Sequence, residues 1–161
     1  MKTKTPLMLK HLLLKLYLKL GTDLTGFFYK STTHLDYPLN LFVETTRNCN
    51  CHCIMCSRKK PSFDPKMNLP LSFFKKIADE LFPHAKSVDL RGFGESTLLP
   101  YWKDIVDYSL KFKCKKGIVT NLSVKNDNMW AYLIKNDFWV GISFDGATKK
   151  TFEHIRRGNN F

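Results

Sequence analysis

From residue 38 onward, short apolar and β-branched runs alternate with stretches whose apolar residues recur at helical spacing, the pattern of parallel strands joined by helices. Leu41-Phe42-Val43-Glu44-Thr45-Thr46 predicts a first strand. Leu71 to Phe82 has apolar residues at 73, 74, 77, 78, 81 and 82, one helical face, with Ser72 near its start and Pro83 closing it. Ser87 to Arg91 predicts a second strand ending at Gly92. Tyr101 to Phe112 predicts a helix with Trp102, Ile105, Val106, Ser109 and Leu110 on one side. A strand over Gly117 to Thr120, a helix over Lys125 to Lys135, a strand over Phe138 to Phe144 and a helix beginning near Ala147 complete the series. The expected class is α/β with about four βα units.

Ahead of this core, Leu7 to Leu20 is Leu-rich, and Lys4, His11, Lys15 and Lys19 recur on one helical face. The chain therefore divides into an N-terminal amphipathic extension, residues 1–37, and a core, residues 38–161. An apolar helix face of this kind packs on its own domain or makes peripheral membrane contact. Lys10, Lys15 and Lys19 break the apolar run; a spanning helix would need about 20 largely apolar residues. No cleavage site follows, so no signal peptide is expected.

In parallel α/β architectures the functional residues gather at the carboxyl ends of the strands. Here Cys49-Asn50-Cys51-His52-Cys53-Ile54-Met55-Cys56 follows the first strand, Gly92-Phe93-Gly94-Glu95 the second, Thr120-Asn121 the third and Ser143-Phe144-Asp145-Gly146 the fourth. All four would face one mouth. Cysteines this close along a chain seldom meet disulfide geometry, whereas a shared metal asks only that the sulfurs converge. One ligand set is Cys49-x3-Cys53-x2-Cys56, which gives a 4Fe-4S cluster three of its four thiolates and leaves one iron open, with Cys51 and His52 as bystanders. The other is a four-thiolate zinc site that includes Cys51, but it lacks the separated Cys-x2-Cys pairs usual for structural zinc. Taken singly, Gly-x-Gly makes a turn, Glu95 a solvated carboxylate, and Ser143 and Asp145 a cap for the next helix.

Cys114 stands apart in a Lys-rich segment, so the cysteine count is odd and no disulfide framework is visible. This points to a reducing cytoplasm. The formal charge of +12 raises the question of an anionic partner. Because the 26 Lys and Arg are spread along the chain, a solvated basic surface is favoured over a nucleic-acid site.

These motifs, in this order, resemble the radical SAM (S-adenosylmethionine) superfamily over residues 39–161, most of all its peptide- and protein-modifying SPASM-type members. Glu44 to Asn50 is similar to that family's approach to its cluster loop. Gly92-Phe93-Gly94-Glu95 resembles its Gly-Gly-Glu-Pro motif, with Phe93 for one glycine and Ser96 for the proline. Thr120-Asn121 resembles its Thr-Asn-Gly, with Leu122 for glycine, while Ser143-Phe144-Asp145-Gly146 and Ile155-Arg156-Arg157-Gly158 resemble its Ser-Ile-Asp-Gly and Ile-Arg-x-Gly.

The resemblance implies a partial (β/α) barrel holding a 4Fe-4S cluster on Cys49, Cys53 and Cys56. It also implies SAM held by Met55, Gly92, Phe93, Gly94, Glu95, Asn121, Ser143, Asp145 and Arg156. The implied activity is reductive cleavage of SAM to a 5′-deoxyadenosyl radical that abstracts hydrogen from a substrate, a peptide or protein in the members it most resembles, with a one-electron donor such as flavodoxin or ferredoxin. The family's barrel has six strands; this pattern supplies four. The alternative is a non-catalytic metal-binding module, a truncated homologue or zinc site, that binds a partner or nucleic acid.

Overall fold

The computed structural model describes residues 37–161, residue 59 excepted. The amphipathic helix expected over Leu7 to Leu20 lies outside the described residues. Four strands, β1 Asn40–Phe42, β2 Ser87–Asp89, β3 Lys115–Thr120 and β4 Phe138–Ile142, form one sheet in the order β1-β2-β3-β4. All three pairings are parallel. Four helices alternate with them: α1 Leu71–Leu81, α2 Trp102–Ser109, α3 Asp127–Lys135 and α4 Lys149–Ile155. None of the described helices is long and apolar enough to cross a membrane.

The helical periodicity places the core. Phe74 and Ala78 of α1, Trp102, Ile105 and Val106 of α2 and Leu133 of α3 are buried against Val88, Ile118 and Phe138 of the sheet. Pro70 precedes α1, Asn126 caps α3 by accepting from Met129 N at 3.1 Å, and Thr148 caps α4 by accepting from Thr151 N at 3.3 Å. Neither Ser143 nor Asp145 caps that helix. The opposite face of the sheet is open: Phe42 is 68% and Trp139 42% exposed. Register puts Phe42, Asp89, Gly117 and Trp139 in one row across it. Gly117 leaves the room into which the Trp139 ring lies, since a Cβ there would fall 2.2 Å from the indole.

Several elements are shorter than their sequence pattern. β1 ends at Phe42 rather than Thr46, because after Val43 N donates to Asp89 O at 2.8 Å the chain leaves β2. It pairs instead with residues 68–69: Leu69 N donates to Thr45 O at 2.8 Å, and Thr46 bridges Asn68. α2 ends at Ser109 rather than Phe112, and β4 at Ile142, beyond which the Phe144 ring packs at a tilt against Phe152 and Phe161.

Leu122 follows β3 with φ 56°, a left-handed conformation that costs a residue with a Cβ about 1–2 kcal/mol. The side chain is 43% exposed and contributes little burial to offset it. Leu122→Gly is expected to raise stability by about 0.5–1 kcal/mol once the entropy of glycine is subtracted, read as a higher urea midpoint with an unchanged slope.

Candidate cofactor-binding site

The chain enters the cysteine loop through polar, not apolar, packing. Thr45 and Thr46 are almost fully buried, and each hydroxyl is spent: Thr45 Oγ1 donates to Ser96 Oγ at 2.7 Å, Thr46 Oγ1 to Asn68 Oδ1 at 2.6 Å. Asn48 then ties three segments together. Its N–H donates to Thr46 Oγ1 at 2.9 Å, its Nδ2 to Asn68 Oδ1 and Asp64 O at 2.7 Å each, and its Oδ1 accepts from Ser62 Oγ at 3.0 Å. Cys49 and Ser62 exchange backbone hydrogen bonds at 3.2 and 3.1 Å. Buried polar groups held this completely give the loop one conformation.

The second loop docks on the first. Phe93 N donates to Glu44 Oε1 at 2.8 Å, Gly94 N to Thr46 O at 3.2 Å and Glu95 N to Asn48 O at 2.7 Å. Gly94 is required by contact, because a Cβ would sit 2.4 Å from both Thr46 O and Asn48 O. All three N–H groups are thereby turned away, while the carbonyls of Gly92, Phe93 and Gly94 accept no hydrogen bond among the described residues. Glu95 is buried, and its carboxylate accepts from Thr97 Oγ1 at 2.6 Å, Thr120 Oγ1 at 2.8 Å and Asn121 N at 2.6 Å. It is a strut between two strand ends rather than a solvated loop acid.

Asn121 is aimed by that strut. Its Nδ2 donates to Asn50 Oδ1 at 3.0 Å and Cys51 Sγ at 3.2 Å, and lies 3.8 Å from Cys49 Sγ. The segment after α4 closes the loop from the other side: His52 N donates to Arg157 O at 2.9 Å and Ile54 N to Ile155 O at 3.0 Å. Gly158, at φ 89°, lies where a Cβ would come within 3.0 Å of Asn50 O. Arg156 Nε donates to Asp145 Oδ2, and its Nη1 reaches 3.8 Å from Cys53 Sγ.

The result is one cavity of about 310 Å³. Cys49, Cys53 and Cys56 share its wall with Met55, with Gly92 to Glu95, and with Asn121, Ser143 and Arg156. Asp145 alone of the expected residues does not line it and meets it through Arg156. Arg91, paired with Asp89 at 2.8 Å, also lines the cavity and carried no signal in the sequence. Cys51 lines it too and is the most buried of the four clustered cysteines. All five cysteines are free thiols. Among the described residues no three His, Cys, Asp or Glu side chains gather closely enough for a single metal ion; a cluster of four irons spreads its thiolates further apart.

Within the cysteine pair Cys49 and Cys51, the proton has a preferred place. Hydrogen bonding from Cys51 brings the Cys49 thiol down to about 6 against the opposing effect of burial. Cys51 is pushed up, by the same hydrogen bond and then by burial. The pairing thus favours the charge on Cys49 over Cys51.

A glycine–acid loop, an asparagine and a group of cysteines meet at the carboxyl ends of a parallel sheet, and the fold is that of radical SAM enzymes of known structure. Known proteins agree. The chain is 31% identical over 128 residues to the mycofactocin maturase MftC of Mycobacterium ulcerans, covering 79% of this chain and 34% of that one. It is 34% identical over 91 residues to a tungsten-containing aldehyde ferredoxin oxidoreductase cofactor-modifying protein of Pyrococcus furiosus, covering 55% and 25%. It thus spans a quarter to a third of the curated relatives it matches. No family model matches. Among solved structures, anSMEcpe with bound AdoMet superposes with a TM-score of 0.59 at 25% identity, covering 76% of this chain and 37% of that one. SuiB of Streptococcus suis bound to the precursor peptide SuiA gives 0.67 at 19%, covering 81% and 29%. The chain's homologues are radical SAM maturases, and its structural neighbours are radical SAM enzymes.

Two measurements probe this geometry. Gly94→Ala forces a methyl onto two backbone carbonyls, which cannot rotate away as a side chain would; a loss of about 1–3 kcal/mol is expected, read by urea unfolding. In the metal-free chain, iodoacetamide labelling of Cys49 is expected to rise through about pH 6, below the ordinary thiol range, because deprotonation is favoured in the fold. Labelling of Cys51 stays slow to the top of the accessible range.

Proposed function

We propose that these four βα units are part of a (β/α) barrel that holds a 4Fe-4S cluster and SAM, and that the protein is a radical SAM enzyme acting on a peptide or protein. The observation that carries this reading is the sharing of one cavity by Cys49, Cys53 and Cys56 and the Gly92 to Gly94 loop, whose carbonyls accept no hydrogen bond among the described residues. Cys49, Cys53 and Cys56, in the Cys-x3-Cys-x2-Cys spacing, are the ligands, and Cys51 is not. The chemistry such a cluster supplies when bound is one-electron cleavage of SAM to methionine and a 5′-deoxyadenosyl radical, which takes hydrogen from the substrate.

The chain's own groups suit the rest. Carbonyl oxygens of Gly92, Phe93 and Gly94 are acceptors for an ammonium group, which the methionine end of SAM carries. Asn121 and Ser143 stand at neighbouring strand ends, one buried and one half-buried. Met55 and Phe93, exposed by 54% and 61%, offer apolar surface at the mouth for a base or a substrate. Glu95 acts behind this wall by holding Asn121 in place. Asp145 acts through Arg156. A peptide substrate is supported by the structural neighbour SuiB, solved bound to its precursor peptide SuiA, and a flavodoxin- or ferredoxin-type donor by the need for one electron. The free thiols suit a reducing, cytoplasmic setting.

Anaerobic reconstitution with iron and sulfide tests the reading. Wild type and Cys51→Ala are expected to take up about four irons and four sulfides per chain, and Cys49→Ala, Cys53→Ala and Cys56→Ala to lose the cluster. SAM should then alter the spectrum of the reduced cluster. A colourless protein that holds one zinc and ignores SAM overturns it.

A further inference from the structure

Arg156 is held more firmly than a cavity-lining arginine needs to be. Its backbone is fixed on both sides, with Ile155 O accepting from Ile54 N and Arg157 O from His52 N, and its own N–H donates to Phe152 O at 2.7 Å. Its side chain is only 17% exposed. The guanidinium therefore cannot swing far. Nε is taken by Asp145 Oδ2, which leaves Nη1 directed at Cys53 Sγ, 3.8 Å away. Cys53 is itself 8% exposed. The cation and the sulfur thus meet where water screens them poorly.

We propose that Arg156, aimed by Asp145, is a positioning residue for Cys53 and raises the reduction potential of the cluster that Cys53 ligates. The proposal rests on the cluster reading above. A guanidinium keeps its charge at any accessible pH, and its planar fork serves two partners along different edges. Reduction adds one negative charge to the cluster and its sulfurs. An N–H donor with a full positive charge at a ligand sulfur stabilises the reduced form more than the oxidised one, and hydrogen bonds to the sulfurs are among the determinants of such potentials. Asp145 contributes direction: it sits on the far edge of the guanidinium from the sulfur and occupies the nitrogen that would otherwise turn toward solvent. Asn121 plays no equivalent part, being neutral and nearer to Cys51 than to Cys49.

The test is a redox titration of the 161-residue chain, reconstituted anaerobically and followed by the paramagnetic signal of the reduced cluster with SAM withheld. Arg156→Gln removes charge and fork together, and its midpoint is expected to fall by about 59 mV, a tenfold change in the ratio of reduced to oxidised cluster at fixed potential. Arg156→Lys keeps the charge without the fork and should fall less. Lys149→Gln removes one positive charge from the same helix, at a side chain that is 71% exposed and paired with Glu153, and should titrate with wild type. A glutamine variant that titrates with wild type overturns the proposal, as does a Lys149→Gln midpoint that falls as far. If the glutamine variant holds no cluster, the lysine variant decides: an unmoved midpoint overturns the proposal. A wild-type chain that takes up no cluster overturns the cluster reading and this one together.

Discussion

Glu95 lies almost wholly out of water, and among the described residues no cation pairs with it. A carboxylate in that position is tolerated only if donors replace its hydration. Two threonine hydroxyls and the backbone N–H of Asn121 do so, all within 2.8 Å. Hydrogen bonds to a charged group contribute about 1.5–3 kcal/mol each, so this carboxylate sets the spacing between the ends of β2 and β3. Its own N–H, donated to Asn48 O at 2.7 Å, carries that spacing to the cysteine loop. The orientation of Asn121, the docking of Gly94 and the seat of Cys49 all follow from one buried charge.

The two layers of the molecule are built by different means. Below the strand ends, apolar side chains fill the space between helices and sheet, where Phe74, Val88, Ile105 and Ile118 are fully buried. Above them, the chain is held by hydroxyls, amides and carbonyls in a network with few partners missing. Apolar burial is non-directional and tolerates small displacements. Hydrogen-bonded loops do not, and loops that must hold several groups in one geometry gain from this.

This division explains what could be read from the sequence. Apolar periodicity is a local signal, so all four helices and all four strands were visible in order, and the strand-end placement of the cysteines followed from them. Element ends were less legible. β1 stops at Phe42 because Thr45 and Thr46 find partners in Asn68, Leu69 and Ser96, contacts that no window along the chain contains. The sequence leaves Glu95 open between a solvated acid and a cofactor contact, and its role as a strut is hidden for the same reason, its donors being at 97, 120 and 121. The Ile-Arg-x-Gly run was legible as a motif but not as a clasp, since its backbone pairs with residues a hundred positions earlier. Leu122 shows the converse, a residue chosen against its local backbone preference.

Electrostatics at the cavity follow from the same arrangement. Thiolates brought together in a half-buried space repel one another, and hydrogen bonding from Cys51 brings Cys49 down against that burial. The cavity wall supplies two cations, Arg91 and Arg156, each already paired with an aspartate. A free guanidinium would collapse onto the nearest thiolate; a paired one is held at a set distance and direction. Asp89 illustrates what that restraint costs, since burial pushes its carboxyl up even with Arg91 beside it. Asp145 holds Arg156 beside Cys53, and Asp89 holds Arg91 at the cavity wall.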